Sequence, residues 1–361
     1  MVIRSIAPRL PFAFSSRMLL VRDADYRRFW LAAMLDEVAG WLLFVVQGWL
    51  LIEFTARPLV VILFFLLRML PKVLVALPAG ALCDRVGPLP VLRVARLAGA
   101  LPAVVILGAA LTGQLSVAVL MVSAALTCIG QAFERPAHRS LIPAYAPGER
   151  MVGGVALLGT ASTLSALASP LVFLAIVAVG GALWALPLQA LLAIASGLIL
   201  FRNRPPAKHI ASVAGSVRTD CWAALRALGA APGIIALIVL VGSPGMFDRL
   251  LTFLTPGYAQ GQGEGTTGMT LLFLAPATGA LIGGSLLAWI GGEVRRLLPL
   301  ALGSSSVAVV SVSLLATTQL FLLSLFLFLL LGAAKAAFSV SIMAALQRRV
   351  PEEARGRMMA F

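Results

Sequence analysis

Charge is scarce in this chain: Asp, Glu, Lys and Arg make up only 12% of its 361 residues, whereas 60% are hydrophobic. Soluble domains carry about 25% charged residues, so the composition excludes an ordinary soluble fold. Apolar runs of about 20 residues, the length that crosses a bilayer as a helix, recur along the whole chain. The sequence therefore predicts an all-α integral membrane protein.

Cysteine and histidine are also rare, at three and two residues. The three cysteines are an odd set and predict no disulfide framework. Neither His138 nor His209 has a cysteine or carboxylate cluster at metal-ligand spacing. Serine and thiol nucleophile motifs are likewise absent from the sequence. We therefore expect no enzyme activity, no cofactor and no metal.

Acidic residues are half as numerous as basic ones, 14 against 28, which leaves a net charge of +14. Nucleic-acid binding could explain such an excess, so the positions of the basic residues must decide. Most of them lie in the N-terminal arm or in every second segment between the apolar runs, whereas Arg57 is the one basic residue of the alternate segments. This is the positive-inside pattern. It predicts a multi-pass protein of the plasma or inner membrane with a cytoplasmic N-terminus, and no nucleic-acid partner.

Hydropathy predicts about ten spans. They cover roughly 28–54, 58–82, 91–112, 115–136, 151–178, 182–201, 231–256, 267–290, 297–316 and 319–346. The basic, proline-containing segment after the sixth span reads as a linker. The expected organisation is a cytoplasmic arm (1–27), a six-span half (28–201), a cytoplasmic linker (202–230) and a partial second half of four spans (231–361).

A short polar turn over residues 80–87 separates spans two and three. Its glycines, Gly80 and Gly87, are expected to let two buried helices approach each other and turn. Gly284 and Gly291 repeat these two glycines at a constant offset of 204 residues (284 − 80). A fixed offset of this kind indicates two similar halves.

Ionisable residues within the spans concentrate in spans one, two, four, seven and ten. Charges in lipid are costly, so these helices are expected to face one another or water. Polar residues at helical spacing form four stripes. The stripes are Asp36, Gly40 and Gln47; Ser123, Thr127, Gln131 and Glu134; Gly245, Asp248, Thr252 and Thr255; and Gly332, Lys335 and Ser339. They predict a solvated central cavity. The alternative is that small polar residues merely pack helices together, as expected for the GxxxG pair Gly279 and Gly283.

Asp36 and Glu37 are the predicted coupling residues, because a carboxyl group in a low-dielectric cavity beside a cation can exchange protons near neutrality. Arg68 and Lys72, on the neighbouring second span, are the predicted charge partners. The alternative is a permanent salt bridge that locks spans one and two together. The sequence leaves both possibilities open.

Six further residues are candidates for contacts with a substrate or for lining the cavity. They are Gln47, Thr127, Gln131, Asp248, Arg249 and Lys335. The two adjacent residues of span seven could instead compensate each other. Lys335 has no evident partner on its own helix, which favours a contact with substrate or with the other half. Glu134 is expected to pair with Arg135 or Arg139 at the membrane interface.

The turn reads Gly80-x-Leu82-x-Asp84-Arg85-x-Gly87, which resembles the signature loop of the major facilitator superfamily. Four further motifs are similar to the branch that contains the enterobactin exporter and related drug:proton antiporters. These motifs are Arg27-Arg28-Phe29-Trp30, Arg68-Met69-Leu70-Pro71, Phe133-x-Arg135-Pro136-Ala137 and Gly356-Arg357-Met358. The resemblance extends from about Tyr26 to the end of the chain. It implies a helical bundle of twelve spans in two pseudo-symmetric halves, with a cavity lined by spans one, four, seven and ten. It also implies a gating role for Gly80, Asp84, Arg85 and Gly87.

The function implied by this resemblance is proton-coupled efflux of an amphipathic small molecule, such as a drug or a siderophore, by a monomer that alternates its access. A lipid or lysolipid transporter is one alternative, since apolar cavity walls would also permit it. A non-transporting membrane fragment or scaffold is another.

Two departures from the family pattern bear on these expectations. The chain reads Pro88-Leu89-Pro90 where the family usually has basic residues, and Arg93 could either replace these residues or simply anchor an interface. Members with twelve spans also have two spans beyond the position of Phe361. The sequence is therefore expected to be truncated before an eleventh span, which would leave the Gly279 and Gly283 face and the Asp84 charge less completely covered.

Overall fold

Nine of the ten predicted spans form helices in the computed structural model, which describes residues 23–55, 57–147, 150–204, 252, 255–290 and 297–349. The helices are α1 (Ala24–Phe54), α2 (Pro58–Val86), α3 (Pro88–Ala98), α4 (Leu101–Leu111), α5 (Val117–Tyr145), α6 (Arg150–Gly180), α7 (Ala185–Phe201), α8 (Gly265–Ile290), α9 (Leu297–Leu315) and α10 (Phe321–Arg349). Most of predicted span seven, including Asp248 and Arg249, lies outside the described residues.

Seven helical segments of the described chain are long and apolar enough to cross a membrane. They are Ala24–Phe54, Pro88–Leu111, Val117–Tyr145, Gly153–Gly180, Ala182–Phe201, Gly265–Leu287 and Phe321–Ser341. Within the same described ranges there is no β-strand. The predicted fold class, an all-α protein with many spans, is confirmed.

The chain divides into two compact units. The first comprises Met1–Phe44, Pro58–Ser165 and Leu183–Ala214, and the second comprises Val45–Arg57, Ala166–Ala182 and Gly215–Phe361. The predicted boundaries between a six-span half, a linker and a partial half stay a prediction. In the first unit α5 packs against α2, α3 and α4, while α7 packs against α3 and α4.

A buried aromatic cluster at one end of the first unit explains why two helices run further than hydropathy predicts. Helix α1 begins at Ala24 rather than near residue 28, and α5 continues to Tyr145 rather than ending near residue 136. The extensions bury Tyr26, Phe29 and Tyr145 against one another and against apolar residues of α3. Amphipathic packing of this kind extends a helix beyond its lipid-facing part.

The turn between α2 and α3 is shorter than predicted. Helix α2 continues through Val86, and Gly87 alone breaks the helical path, with φ of 98° and ψ of 148°. Residues with a Cβ rarely adopt this conformation, so glycine is required there. Pro88 then starts α3 in its first turn, where a missing N–H costs nothing. The expectation for Gly80 is wrong: it lies inside α2, and a Cβ added to it would meet no described atom within 4 Å.

In the second unit, α10 packs against both α8 and α9. A seam of glycines brings α8 and α10 together: a Cβ on Gly279 would overlap the carbonyl group of Leu329, and a Cβ on Gly283 would lie 2.9 Å from the Cα of Ala333. The helix-packing interpretation of this GxxxG pair is confirmed. The expectation that this face is incompletely covered is wrong, because α10 covers it.

Candidate functional site

A small cavity lies within the first unit, among helices α1, α3, α4, α5 and α7. Its volume is about 50 Å³. Most of its wall is apolar or glycine, and five lining residues are polar: Asp36, Thr127, Gln131, Glu134 and Gln189. A water molecule needs about 10–15 Å³ in this measure, so the cavity holds a few groups of water size and no more.

Two of the predicted polar stripes meet at this cavity. Asp36 and Gly40 come from α1, and Thr127, Gln131 and Glu134 come from α5. Asp36 lies 12 residues beyond the first residue of α1, or about 18 Å along the helix axis at 1.5 Å per residue. Asp36 and Glu134 both line this cavity and are close enough to interact electrostatically. The spacing argument thus identified residues that the fold brings together.

Glu134 also makes an ion pair that the sequence did not indicate. The Nε of Arg96 in α3 lies 3.6 Å from its Oε1, and the Arg96 side chain is only 1% exposed. Arg96 also donates a hydrogen bond from an NH1 nitrogen to the Ser196 hydroxyl in α7, at 3.0 Å. That hydroxyl donates in turn to the Ala32 carbonyl in α1, at 2.7 Å. One buried guanidinium therefore connects α3 with α5 and α7, and through Ser196 with α1.

Gln189 of α7 completes the polar wall. It is 2% exposed, and its Nε2 donates a hydrogen bond to the Gly99 carbonyl at 3.1 Å. Gly99 and Ala100 join α3 to α4 with right-handed helical backbone angles, so Pro88–Leu111 crosses as one span. Gly99 and Pro102, in the first turn of α4, also line the cavity.

The hydroxyls of the α5 stripe have a more modest role. Ser123 donates to the Leu120 carbonyl, and Thr127 donates to the Ser123 carbonyl, each at 2.8 Å. Both bonds stay within α5, which is the satisfied arrangement expected of small polar residues in a buried helix. Thr127 nonetheless lines the cavity beside Gln131, one helical turn further along.

Glu37 and the two predicted charge partners lie elsewhere. The Glu37 side chain is exposed and does not line the cavity, although Glu134 is close enough to sense its charge. The Arg68 guanidinium lies 5.1 Å from the ring centroid of Phe44, and both Arg68 and Lys72 are close enough to act electrostatically on Cys128 in α5. Each of these charged residues has an interaction partner. Their pairing with Asp36 and Glu37 stays a prediction.

The other predicted substrate contacts do not share this cavity. Gln47 is fully buried in the part of α1 that belongs to the second unit. Lys335 is exposed on α10 and has a polar, ionic or ring contact, so it is not without a partner. Asp248 and Arg249 lie outside the described residues.

The predicted gating loop is described in part. Arg85 is exposed at the end of α2, and the backbone of Asp84 is helical, but its side chain lies outside the described part of the structure. Arg93 follows the second of its two expectations, since it anchors an interface. Its Nε donates to the Leu200 carbonyl at 3.0 Å, and an NH2 nitrogen donates to the Asn203 carbonyl at 2.9 Å.

Sequence reasoning missed Arg96 and Gln189. It also predicted the wrong partner for Glu134, which pairs with Arg96 and not with Arg135 or Arg139. Arg96 stands near the beginning of an apolar run, where an arginine is usually read as a topological charge. Its spacing from Arg93 contains a usable signal, since two arginines three residues apart share a face of α3. Gln189 is a single amide in an apolar span, which alone says little.

These features define a class of protein: a multi-span helical membrane protein with a buried ionisable cluster inside one compact unit. A family model described as the Major Facilitator Superfamily matches residues 29–361. The chain therefore belongs to this superfamily of transporters. No curated protein matches the chain significantly.

Solved structures share the fold at low sequence identity. A bacterial homolog of the human lysosomal transporter Spinster, inward-facing and occupied, has a TM-score of 0.65 at 14% identity, with 92% of this chain and 75% of that chain covered. A D-xylose–proton symporter has a TM-score of 0.63 at 16% identity, with 93% and 86% covered. A peptide transporter, POT, in complex with alafosfalin has a TM-score of 0.58 at 13% identity, with 92% and 84% covered.

Proposed function

We propose that the protein is a secondary active exporter of an amphipathic small molecule, driven by proton entry. In this proposal the proton binds at the carboxyl groups of Asp36 and Glu134, beside Arg96. The observation that carries this proposal is that two carboxyl groups, Asp36 and Glu134, line one cavity within the helical bundle beside the single buried guanidinium of Arg96. One arginine can compensate only one of two ionised carboxylates, and a bound proton would neutralise the other. The pair is therefore the proposed site at which a single proton binds and leaves.

The charge balance explains how that proton could be coupled to movement. Arg96 compensates one carboxylate, and the bound proton neutralises the second. When the proton leaves, the cluster acquires one uncompensated negative charge among buried groups, which is costly. Glu37 on α1 adds a further negative field, while Arg68 and Lys72 on α2 face α5 at Cys128. Loss of the proton thus favours a rearrangement that hydrates or re-pairs the carboxylates.

The substrate binds elsewhere in this proposal. Pockets for drug-sized ligands measure about 300–1,000 Å³, far more than the cavity beside Asp36. Gln47, Asp248, Arg249 and Lys335 stay the proposed substrate contacts, in a monomer that alternates its access with its N-terminus in the cytoplasm. The similarity in fold to a D-xylose–proton symporter supports the proposal of proton coupling.

The experiment compares Glu134→Gln and Asp36→Asn with wild type in proteoliposomes. The assay follows a fluorescent amphipathic cation together with a dye for internal pH. We expect both variants to lose uphill transport driven by an imposed proton gradient, while they keep exchange of labelled for unlabelled substrate. Exchange needs binding and alternation but no net proton movement, so the two assays separate coupling from binding.

Glu37→Gln is the matched control, because it removes an exposed carboxyl one residue from Asp36. We expect this variant to keep most of its gradient-driven transport. If Glu37→Gln abolishes uphill transport while Glu134→Gln pumps normally, the predicted Asp36–Glu37 pair carries coupling instead. Normal pumping by an Asp36→Asn/Glu134→Gln double variant would refute the proposed site.

A further inference from the structure

An apolar stripe on the outer surface of α7 leads to a group of arginines. It consists of residues at the spacing of one helix face, namely Leu191, Ile194, Leu198 and Phe201. Three of the four are more than half exposed, and so is Val94 on the neighbouring α3. Helix α7 belongs to a segment that is long and apolar enough to cross a membrane, so this α7 stripe faces the acyl chains of lipids. It ends at Phe201, and the exposed Arg202 follows directly.

Arg93 of α3 lies at the same end of the α7 stripe. Its guanidinium carbon is 5.0 Å from the centroid of the Phe201 ring. Its Nε and one of its terminal nitrogens donate to the carbonyls of Leu200 and Asn203, at 3.0 and 2.9 Å. These two carbonyls lie on either side of Arg202 in the chain, so two arginines come together beside one exposed aromatic ring. The Nη1 of Arg93 has no hydrogen-bond partner among the described residues.

The positive charge at this place is not balanced within the described part of the protein. Arg28 pairs with Asp25 at 3.2 Å and also donates to the Arg202 carbonyl at 3.1 Å, so this ion pair borders the same backbone segment. Neither Arg93 nor Arg202 forms an ion pair with a described carboxylate. Three arginines against one aspartate leave a net charge of +2 (3 − 1). The flanking chain adds two exposed arginines and one exposed carboxylate, Arg27, Arg204 and Asp23.

From this arrangement we infer that Arg93 and Arg202 bind the phosphate of one anionic phospholipid, of the phosphatidylglycerol or cardiolipin class, whose acyl chains lie along the α7 stripe. Guanidinium groups bind phosphate oxygens through paired N–H donors. Arg93 lies five residues after the start of the apolar segment Pro88–Leu111, or about 7.5 Å along the helix, and its side chain extends to the end of α7.

The net charge selects the class of lipid. The phosphate of phosphatidylcholine or phosphatidylethanolamine is accompanied by its own ammonium group, which the arginines would repel. An anionic headgroup has no such compensating charge and gains from each arginine near the membrane surface. A soluble phosphate ester would meet the same arginines, but it would leave the exposed side chains of the α7 stripe without a partner.

The experiment measures lipid binding by the purified full chain and is independent of the proposed transport function. Native mass spectrometry counts the lipids that the protein retains from detergent micelles containing equal amounts of phosphatidylglycerol and phosphatidylcholine. We expect one phosphatidylglycerol per chain to be retained in preference to phosphatidylcholine. Because exposed charges are screened by salt, this preference should weaken when the protein is equilibrated at higher ionic strength.

Arg202→Gln removes one positive charge without removing a bond that the fold uses, because the described contact of Arg202 with Arg28 is made by its backbone carbonyl. We expect this variant to bind phosphatidylglycerol about fivefold more weakly, the effect typical of one arginine near a membrane surface. Arg57→Gln is the matched control. It removes the same charge from an exposed arginine beyond the opposite end of α1, and it should bind as wild type does.

The wild-type measurement decides the inference even if a variant fails to fold. Equal retention of phosphatidylglycerol and phosphatidylcholine by wild type would overturn the site, and so would equal phosphatidylglycerol binding by wild type and Arg202→Gln. Addition of glycerol phosphate in excess distinguishes a lipid from a soluble ligand, because it supplies the phosphate without acyl chains. Retention of the lipid in its presence would support the inference, whereas full displacement would show that the arginines bind phosphate alone and would overturn the lipid site.

Discussion

Polar side chains join different helices in the first unit, whereas in the described part of the second unit most of them bond back onto their own helix. In the first unit the Tyr26 hydroxyl donates to the Gly154 carbonyl, and the Trp30 indole donates to the Leu157 carbonyl, both at 2.9 Å. In the second unit the hydroxyls of Ser304, Ser305, Ser306, Ser311, Ser313 and Ser341 all donate to carbonyls three or four residues earlier. A small cluster differs, in which Tyr258 and Gln262 bond with Ser324.

Backbone contact replaces polar bonds in the second unit. The seam between α8 and α10 depends on glycines whose missing side chains let the two backbones touch. The first unit instead tolerates a buried arginine, because an ion pair to Glu134 and a hydrogen bond to Ser196 on neighbouring helices compensate its charge. Polar links between helices are the sites where protonation can change packing, which explains why the coupling chemistry is proposed in the first unit.

Removing the buried cation should have the largest effect. Arg96→Met leaves Glu134 without the guanidinium that pairs with it, and breaking a buried pair typically costs about 3–5 kcal/mol. We expect a correspondingly large fall in the free energy of unfolding, measured by denaturant titration in mixed micelles. Arg96→Met/Glu134→Gln should recover part of the loss. If the double variant is as unstable as the sum of the two single variants, the ion pair makes no contribution.

The glycine seam should give the next largest effect. A Cβ on Gly332 of α10 would overlap the backbone carbonyl of Pro276 in α8, so Gly332→Ala must push the helices apart. We expect a cost of about 3 kcal/mol, the upper end of typical overpacking. Gly303→Ala in α9, where no described atom lies within 4 Å of the added Cβ, is the control and should change stability by less than about 1 kcal/mol. Equal stabilities for the two variants would contradict the seam.

The two glycines of the turn motif should differ by a smaller amount. Gly87→Ala forces a Cβ into a backbone conformation that is almost exclusive to glycine, at a cost of about 2 kcal/mol. Gly80→Ala lies within α2 with open space around it and should stay within about 1 kcal/mol of wild type. Thermal unfolding of both variants checks this. A more severe effect at Gly80 would show that the motif needs its first glycine for close packing after all.

Helical periodicity predicted the parts of the site that depend on one helix at a time. Asp36 and Gly40 on α1, and Thr127 and Gln131 on α5, were expected to share faces, and the fold directs both faces into one cavity. The same reasoning could not tell that Glu134 would meet Arg96 rather than its sequence neighbours. That pairing depends on how α3 is rotated against α5, which is a property of tertiary packing.

Hydropathy located the spans well but not their ends. A hydropathy window averages how favourably each side chain transfers into lipid and takes no account of contacts between helices. It therefore missed the aromatic packing of Tyr26, Phe29 and Tyr145 that lengthens α1 and α5. It also read 80–87 as a turn, since polar residues there lower the average. The helix continues to Val86 because nothing stops it before Gly87, whose backbone cannot continue a helix at its positive φ.

Arg93 has a consequence for anyone who wishes to produce the protein as two separate polypeptides. Helix α7 ends at Phe201, which suggests a cut directly after it. Residues 202–204, however, are fastened to the first unit: Arg93 and Tyr145 donate to the carbonyls of Asn203 and Arg204, and the Asn203 amide donates to the Asp25 carbonyl. A polypeptide that ends at Arg204 would keep these hydrogen bonds within the first unit, and one that ends at Phe201 would lose them.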